Sequence, residues 1–146
     1  MNKKLLIAVI VGIAALLWYY SQHPLTSKVK VHRAVFIVDV AITEAQKELG
    51  LGGRDGMAAD HGMLFPYDHK EQYGYWMRGM KFPLDFIWID GKKVADVTPN
   101  VPQPTGDEKP VIVKPLTPVD KVLEVNAGTV ARLGITVGDP VEFLDR

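Results

Sequence analysis

The 146-residue chain contains no cysteine. Disulfide bonds, thiolate metal sites, a cysteine nucleophile and a lipid-modified N-terminal cysteine are therefore all excluded. An excess of one charge is also missing, because 17 Lys and Arg residues balance 17 Asp and Glu residues. The chain thus lacks the net positive charge that non-specific nucleic-acid binding requires, and we expect no nucleic-acid partner.

The signatures of several common catalytic and metal sites are absent as well. Beyond the N-terminal segment the only serine is Ser27, and there is no G-x-S-x-G motif, which excludes a serine hydrolase of that type. The glycine-dense loop at residues 52–56 lacks the lysine and hydroxyl residue of a phosphate-binding loop. Asp60-His61 and Asp68-His69 have no metal-ligand spacing and fit solvated loops better. We therefore predict no metal and no cofactor.

Residues 5–20 carry no charge, are predominantly apolar and follow Lys3 and Lys4. The length of this stretch lies between the core of a signal peptide and the ~20 residues that span a membrane comfortably. The stretch ends in residues 17–20, three of which are aromatic, as is typical of the membrane–water interface. Because the residues around Ser21 offer signal peptidase no small side chains at alternate positions, we favour an uncleaved signal anchor over a cleaved signal peptide.

These features divide the chain into three segments. Residues 1–22 are predicted to form an N-terminal transmembrane helix, residues 23–28 a tether, and residues 29–146 one folded domain. Basic residues before a membrane helix stay on the cytoplasmic side. The domain is therefore predicted to be extracytoplasmic and attached to the cell membrane by a single helix.

Within the domain, the densest apolar run is residues 84–89, which only Asp85 interrupts. Such a run is typical of a strand that is buried on both faces. Asp90-Gly91 then predicts a tight two-residue turn, and residues 92–97 return as the partner strand. Around this hairpin, short apolar runs and turn residues predict a mainly β fold, a small β-sandwich or barrel of about eight short strands with two short helices.

The two short helices are indicated by residues that precede them. Thr43 and Gln46 have the spacing of a capping box, which predicts a helix over residues 44–49. Asn126 is the predicted N-cap of a second short helix within residues 127–133.

A series of short motifs follows along the domain: Thr43-Glu44-Ala45-Gln46, Gly50-Leu51-Gly52-Gly53-Arg54, Gly62-Met63-Leu64-Phe65, Trp76-Met77-Arg78, Pro83-Leu84-Asp85, Ile89-Asp90, Val122-Leu123-Glu124-Val125-Asn126-Ala127-Gly128 and Gly134-Ile135-Thr136-Val137-Gly138-Asp139. Together they resemble the uncharacterised family called domain of unknown function 192 (DUF192), over about residues 29–144. The resemblance implies a small, mostly β domain, often behind a signal sequence or an anchor, with no established activity. Many members carry cysteines in the loop equivalent to residues 100–115, where this chain has none.

Two acidic residues are weak candidates for catalysis. Asp85 interrupts an apolar strand, and a buried carboxylate needs a cation or several hydrogen-bond donors, for which Arg54 and Arg78 are candidates. Asp85 is then either a structural brace that bonds to an arginine or to the backbone, or a residue that contacts a ligand. Glu124 lies in another apolar strand and is either solvated or shares a pocket with Asp85. Two carboxylates in one pocket could act as acid and base, as in glycoside hydrolysis.

Aromatic and methionine residues cluster in the same part of the sequence. Trp76, Met77, Met80, Phe82 and Trp88 are most simply core residues. Trp76 and Met77, just before Arg78, could instead line the mouth of a pocket in which a sugar ring or a peptide stacks. The predicted ligand-binding residues are therefore Trp76, Met77, Arg78, Asp85 and Arg54.

Three functional hypotheses follow. The leading one is a non-enzymatic binding module for a cell-envelope carbohydrate or peptide. The first alternative is an envelope hydrolase or lyase that uses Asp85 and Glu124 as paired carboxylates. The second alternative is a structural or protein-interaction domain.

Overall fold

The structure, a computed structural model, describes residues 2–22, 25–106 and 109–144. These residues contain three helices, α1 (Lys3–Gln22), α2 (Glu44–Leu49) and α3 (Thr129–Leu133). The predicted mainly β fold is confirmed, with nine strands where the sequence predicts about eight. The strands are β1 (Leu25–Val31), β2 (Ala34–Val40), β3 (His61–Glu71), β4 (Tyr75–Trp76), β5 (Leu84–Asp90), β6 (Lys93–Val101), β7 (Ile112–Val113), β8 (Val119–Asn126) and β9 (Val141–Leu144).

Seven strands form one sheet in the order β6-β5-β8-β3-β2-β1-β9, and β4 pairs separately with β7. Neighbouring strands are antiparallel, except that β2 and β3 are parallel. The two edges of the large sheet meet at one end, where Val94 N donates to Asp139 O and Val141 N donates to Lys92 O, both over 2.9 Å. The sheet therefore curls into a half-barrel.

The strand β5 is buried on both faces, as predicted, because its side chains alternate between two apolar cores. Such burial stabilises the fold by about 1.5–3 kcal/mol for each large aliphatic or aromatic side chain. The first core fills the half-barrel and includes Val29, Phe36, Val38, Ile87, Leu123, Val125 and Val141. The second core lies on the outer face of β3, β5 and β8, beneath the segments around α2 and β4, and includes Leu51, Met63, Phe65, Tyr75, Met77, Phe86 and Trp88.

Strands β3 and β8 approach each other closely at Gly62. A Cβ atom at this position would lie 2.7 Å from the backbone oxygen of Glu124 and 3.1 Å from a side-chain carbon of Leu123. Only glycine lets the two backbones come this close. This contact fixes β8 against β3 at the point where Glu124 lies.

The N-terminal segment differs from the prediction. Residues 3–22 are helical, but among the described residues no helix is both long enough and apolar enough to cross a membrane, so the structure does not support the predicted transmembrane helix. Four of the six residues of the predicted tether lie in a strand instead, because β1 begins at Leu25 and pairs with β2 from the register Leu25–Val40 onward. The other two tether residues, 23 and 24, lie outside the described residues.

The predicted turn after β5 lies one residue further along the chain. Asp90 still pairs with Lys93, so the two turn residues are Gly91 and Lys92 instead of Asp90 and Gly91. Gly91 has a φ of +60°, which glycine adopts at little cost. The predicted hairpin is otherwise observed.

The helix α2 forms as predicted, with a complete capping box in which Gln46 N donates to the hydroxyl of Thr43 and the Gln46 side chain accepts from Thr43 N. The prediction that Asn126 caps the next helix is wrong. Its side-chain amide instead donates to the backbone oxygens of Met57 and Ala58, both over 3.0 Å. The N-cap position of α3 is Gly128, which has no side chain to cap it.

Candidate functional site

Asp85 is fully buried in β5, and its carboxylate accepts three backbone hydrogen bonds. Gly128 N and Val130 N, at the start of α3, donate over 3.1 and 2.8 Å. These amides have no partner within the helix, so Asp85 takes the place of a local cap. Asn100 N donates over 2.7 Å and holds Asn100 in a conformation with positive φ. Asp85 is thus a structural brace through backbone donors, one of the alternatives that the sequence leaves open.

Asp85 and Glu124 point to opposite faces of the sheet. In the antiparallel pair of β5 and β8, Asp85 lies beside Val125, and Phe86 lies beside Glu124. Because consecutive strand residues point in opposite directions, Asp85 faces the interior of the half-barrel and Glu124 faces the outer core. The two carboxylates share no pocket, and a mechanism that pairs them has no geometric basis.

A groove of about 470 Å³ lies on the outer side of the domain, between α2 with its following loop and the segment around β4. Of the five predicted ligand-binding residues, two line this groove. Its lining residues are Ala45, Glu48, Leu49, Gly52, Gly53, Trp76, Arg78 and Gly79.

Glycines allow the two walls of the groove to touch. Gly53 N donates to Gly79 O over 2.9 Å, and Gly79 has a φ of +72°. A Cβ atom on Gly52 would lie 2.8 Å from the backbone oxygen of Leu49 and 3.4 Å from that of Arg78. The glycine-dense loop therefore has a packing role, since it lets the backbone of one wall lie directly against the other.

Trp76 and Arg78 form the exposed part of the groove. Trp76 is 45% exposed, and the guanidinium carbon of Arg78 lies 5.4 Å from the centre of its indole ring. This arrangement is a cation–π contact. Within the part of the chain that the structure describes, no carboxylate lies at ion-pair distance from Arg78. An aromatic surface and a charged donor group are thus presented side by side.

Met77 and Arg54 do not line the groove. Tyr75, Trp76 and Met77 alternate between inside and outside, which buries Met77 completely in the second core. Arg54 donates from Nη2 to Oδ2 of Asp39 over 2.8 Å. The core alternative therefore holds for Met77, and the pocket-mouth alternative describes the position of Trp76.

A small cavity of about 30 Å³ adjoins the groove and reaches inward to Glu124. The two spaces share the lining residues Glu48, Leu49, Trp76 and Arg78. Glu124 is 5% exposed, and among the described residues no hydrogen-bond donor contacts its carboxylate. The structure supports neither of the two alternatives that the sequence leaves open for Glu124. The side chain is not solvated, and it does not share a pocket with Asp85.

Burial raises the pKa of Glu124 to about 8, and the positive charge of Arg54 opposes this shift. The carboxyl group is consequently protonated at neutral pH. Nearby, the hydroxyl groups of Tyr67 and Tyr75 are 2.8 Å apart and bind each other, and burial raises the pKa of Tyr75 far above its usual value. The environment of Glu124 thus favours neutral groups.

The histidine–aspartate pairs show no arrangement for a metal. His61 contacts Asp60 over 2.8 Å, and His69 contacts Glu71 instead of Asp68, over 3.4 Å. Within the described ranges, no group of three or more His, Asp or Glu side chains could hold a metal ion.

Sequence reasoning did not identify two of the residues that shape the groove. Leu49, the last residue of α2, is 67% exposed, and Glu48 beside it lines both spaces. The available signal was weak, because an exposed leucine at a helix end is recognisable only once the opposite wall is known.

Comparison with known protein families identifies the fold. The model of the DUF192 family, described as "Uncharacterized ACR", matches residues 26–143. The chain belongs to the DUF192 family. The predicted resemblance is therefore confirmed over nearly the whole domain.

Two solved structures are similar to this DUF192 domain. A protein from Sinorhizobium meliloti 1021, provisionally named a transcription regulator, is 33% identical with a TM-score of 0.74, and the match covers 83% of this chain and 95% of that one. A protein of unknown function from Novosphingobium aromaticivorans DSM 12444 is 34% identical with a TM-score of 0.70, covering 80% and 84% of the two chains. Among curated proteins, none matches this chain.

Proposed function

We propose that this DUF192 domain is a binding module for a cell-envelope carbohydrate and that the groove is its binding site. The observation that carries the proposal is the half-exposed ring of Trp76 beside the guanidinium of Arg78, which has no carboxylate partner in the described residues. An exposed indole costs solvation free energy, which a ligand that covers the ring would recover.

The groove has the size and chemistry that a sugar requires. Its volume of about 470 Å³ lies within the usual range of ligand pockets. The ring of Trp76 offers a flat apolar surface for the C–H face of a sugar, and Arg78 and Glu48 offer a hydrogen-bond donor and an acceptor at the edge. A peptide is the other ligand class that the sequence suggests, and the experiment below distinguishes it from a carbohydrate.

Catalysis is a weaker candidate. An envelope hydrolase or lyase with paired carboxylates would need Asp85 and Glu124 in one pocket, and they lie on opposite faces of the sheet. A nucleic-acid role, which the name of the S. meliloti protein suggests, is not carried over to this chain, because its net charge is zero.

The cellular location is part of the same proposal. The side chains of α1 are exposed over residues 3–16, which include eight large apolar residues between Leu5 and Leu16 and no acidic residue. We propose that α1 holds the domain at the membrane, with Lys3 and Lys4 on the cytoplasmic side and the groove outside.

Co-sedimentation of the full chain, in detergent micelles, with insoluble cell-envelope polysaccharide tests the binding function. We expect wild-type protein to sediment with the polysaccharide and Trp76→Ala to lose about tenfold in affinity, since stacking on an aromatic ring contributes on the order of 1 kcal/mol or more. The matched control is Val137→Ala, which also removes an exposed apolar side chain but does not line the groove.

Two results would contradict the proposal. One is equal affinity of Trp76→Ala and wild type for the polysaccharide. The other is binding of envelope peptides alone, which would assign the groove to a different ligand class.

A further inference from the structure

Glu124 is an unusual residue at the inner end of the groove. It is 95% buried by accessible surface, yet no donor among the described residues contacts its carboxylate. Among the described residues no side-chain oxygen or nitrogen is both fully buried and without a partner, so the carboxyl oxygens of Glu124 keep some accessible surface. The carboxyl group also borders the small cavity, so that a group entering from the groove could reach it.

The size of the cavity limits what could enter. A space needs about 10–15 Å³ to hold one water molecule, so about 30 Å³ admits one small polar group and excludes a whole sugar ring. A ring stacked on Trp76 would lie in the groove, and one of its hydroxyl or hydroxymethyl groups would point inward past Arg78.

The charges around the cavity select against a cation. Lys47 and Arg78 line it, and the charge of Arg54 acts on Glu124, whereas Glu48 at the rim is the other acidic residue of the lining. The hydroxyl of Tyr75, a further lining residue, is already bonded to that of Tyr67. A neutral hydroxyl therefore fits this environment better than an ammonium group.

We propose that the small cavity is a hydroxyl-binding subsite, in which Glu124 forms hydrogen bonds with one hydroxyl group of the sugar that occupies the groove. This inference rests on the proposed function and adds a specificity-determining residue to it. A protonated carboxyl group suits the task, because it donates one hydrogen bond and accepts another, as a sugar hydroxyl does. The raised pKa of Glu124 supports that protonation state at neutral pH.

The test compares sugars that differ by one hydroxyl group. D-glucose, its 2-, 3-, 4- and 6-deoxy analogues, D-glucosamine and N-acetyl-D-glucosamine are titrated into the full chain in detergent micelles. Binding is followed by the NMR signal of the Trp76 indole N–H, which Trp76→Phe assigns. We expect one deoxy analogue to bind about tenfold more weakly than D-glucose, because its missing hydroxyl leaves Glu124 unpaired.

Variants of Glu124 then identify the subsite. Glu124→Met should bind D-glucose about tenfold more weakly and should no longer distinguish it from that deoxy analogue. Glu124→Gln keeps a donor and an acceptor, so it should retain the distinction. The exposed Glu142→Gln is the matched control and should behave as wild type.

The outcomes separate the two proposals. If none of the sugars binds wild-type protein, the carbohydrate function itself is wrong. If the sugars bind but Glu124→Met keeps the full distinction between D-glucose and its deoxy analogues, the hydroxyl subsite is refuted. The proposal that the groove binds a carbohydrate is then still supported. Tighter binding of D-glucosamine than of D-glucose would also refute it, since the subsite would then favour a cation.

Discussion

Replacing Glu124 by glutamine should change how the stability of the domain depends on pH. Burial raises the pKa of Glu124 from 4.5 to about 8. A difference of about 3.5 pH units between the folded and unfolded states corresponds to about 5 kcal/mol, at about 1.4 kcal/mol for each unit. Water that enters the small cavity would reduce this free-energy difference.

Glu124 makes the free energy of unfolding depend on pH with the opposite sign to a carboxylate in an ion pair. Between about pH 4.5 and pH 8, the folded domain keeps the proton on Glu124 while the unfolded chain releases it. The free energy of unfolding therefore falls as the pH rises through this window and becomes independent of Glu124 above the folded-state pKa. Glutamine stays neutral throughout, so its side chain contributes no such slope.

Urea unfolding of wild type and Glu124→Gln at pH 5, 6, 7, 8 and 9 measures this difference. We expect the variant to gain stability relative to wild type as the pH rises, by several kcal/mol between pH 5 and pH 8. Glu142→Gln, an exposed substitution of the same type, should follow wild type at every pH. Parallel curves for wild type and Glu124→Gln would refute a buried, protonated Glu124.

Two further predictions concern the brace and the N-terminal helix. Asp85→Asn should lower the free energy of unfolding by about 2–4 kcal/mol at pH 7 in urea titrations, because an amide cannot accept all three backbone hydrogen bonds. The control Asp55→Asn, at an exposed side chain, should change this free energy little. Full-length protein should remain with membranes after an alkaline carbonate wash, and Ile13→Asp should release it while Leu116→Asp does not. A wash that releases wild type would contradict the membrane association.

The fold was predictable to the extent that it depends on local pattern. The capping box of Thr43 and Gln46 needs only neighbours in sequence, and the helix α2 forms where the pattern predicts it. The cap of α3 could not be predicted in this way, because its acceptor is Asp85, more than forty residues earlier. Asn126 has the local pattern of a cap, but a distant loop takes its side chain.

The site was predictable only in part for a similar reason. Alternation along a strand separates Trp76 from Met77, but it does not say which of the two faces outward. For Glu124 alternation is less informative still, because both faces of β8 are buried and neither is the solvent face. Sequence reasoning identifies the residues of the motif Trp76-Met77-Arg78, and only the packing of α2 against them defines a groove.

Asp85 and Glu124 show why burial alone does not assign a role to an acidic residue. Both lie in neighbouring strands at less than one-tenth exposure. Three backbone amides surround the first, so folding itself accounts for that carboxylate. Glu124 has no such donors. Its burial lowers the free energy of unfolding as the pH rises, and an apolar residue of similar size would not cause this loss. Because packing gives no reason for a glutamate there, the reason is better sought in what enters the cavity beside it.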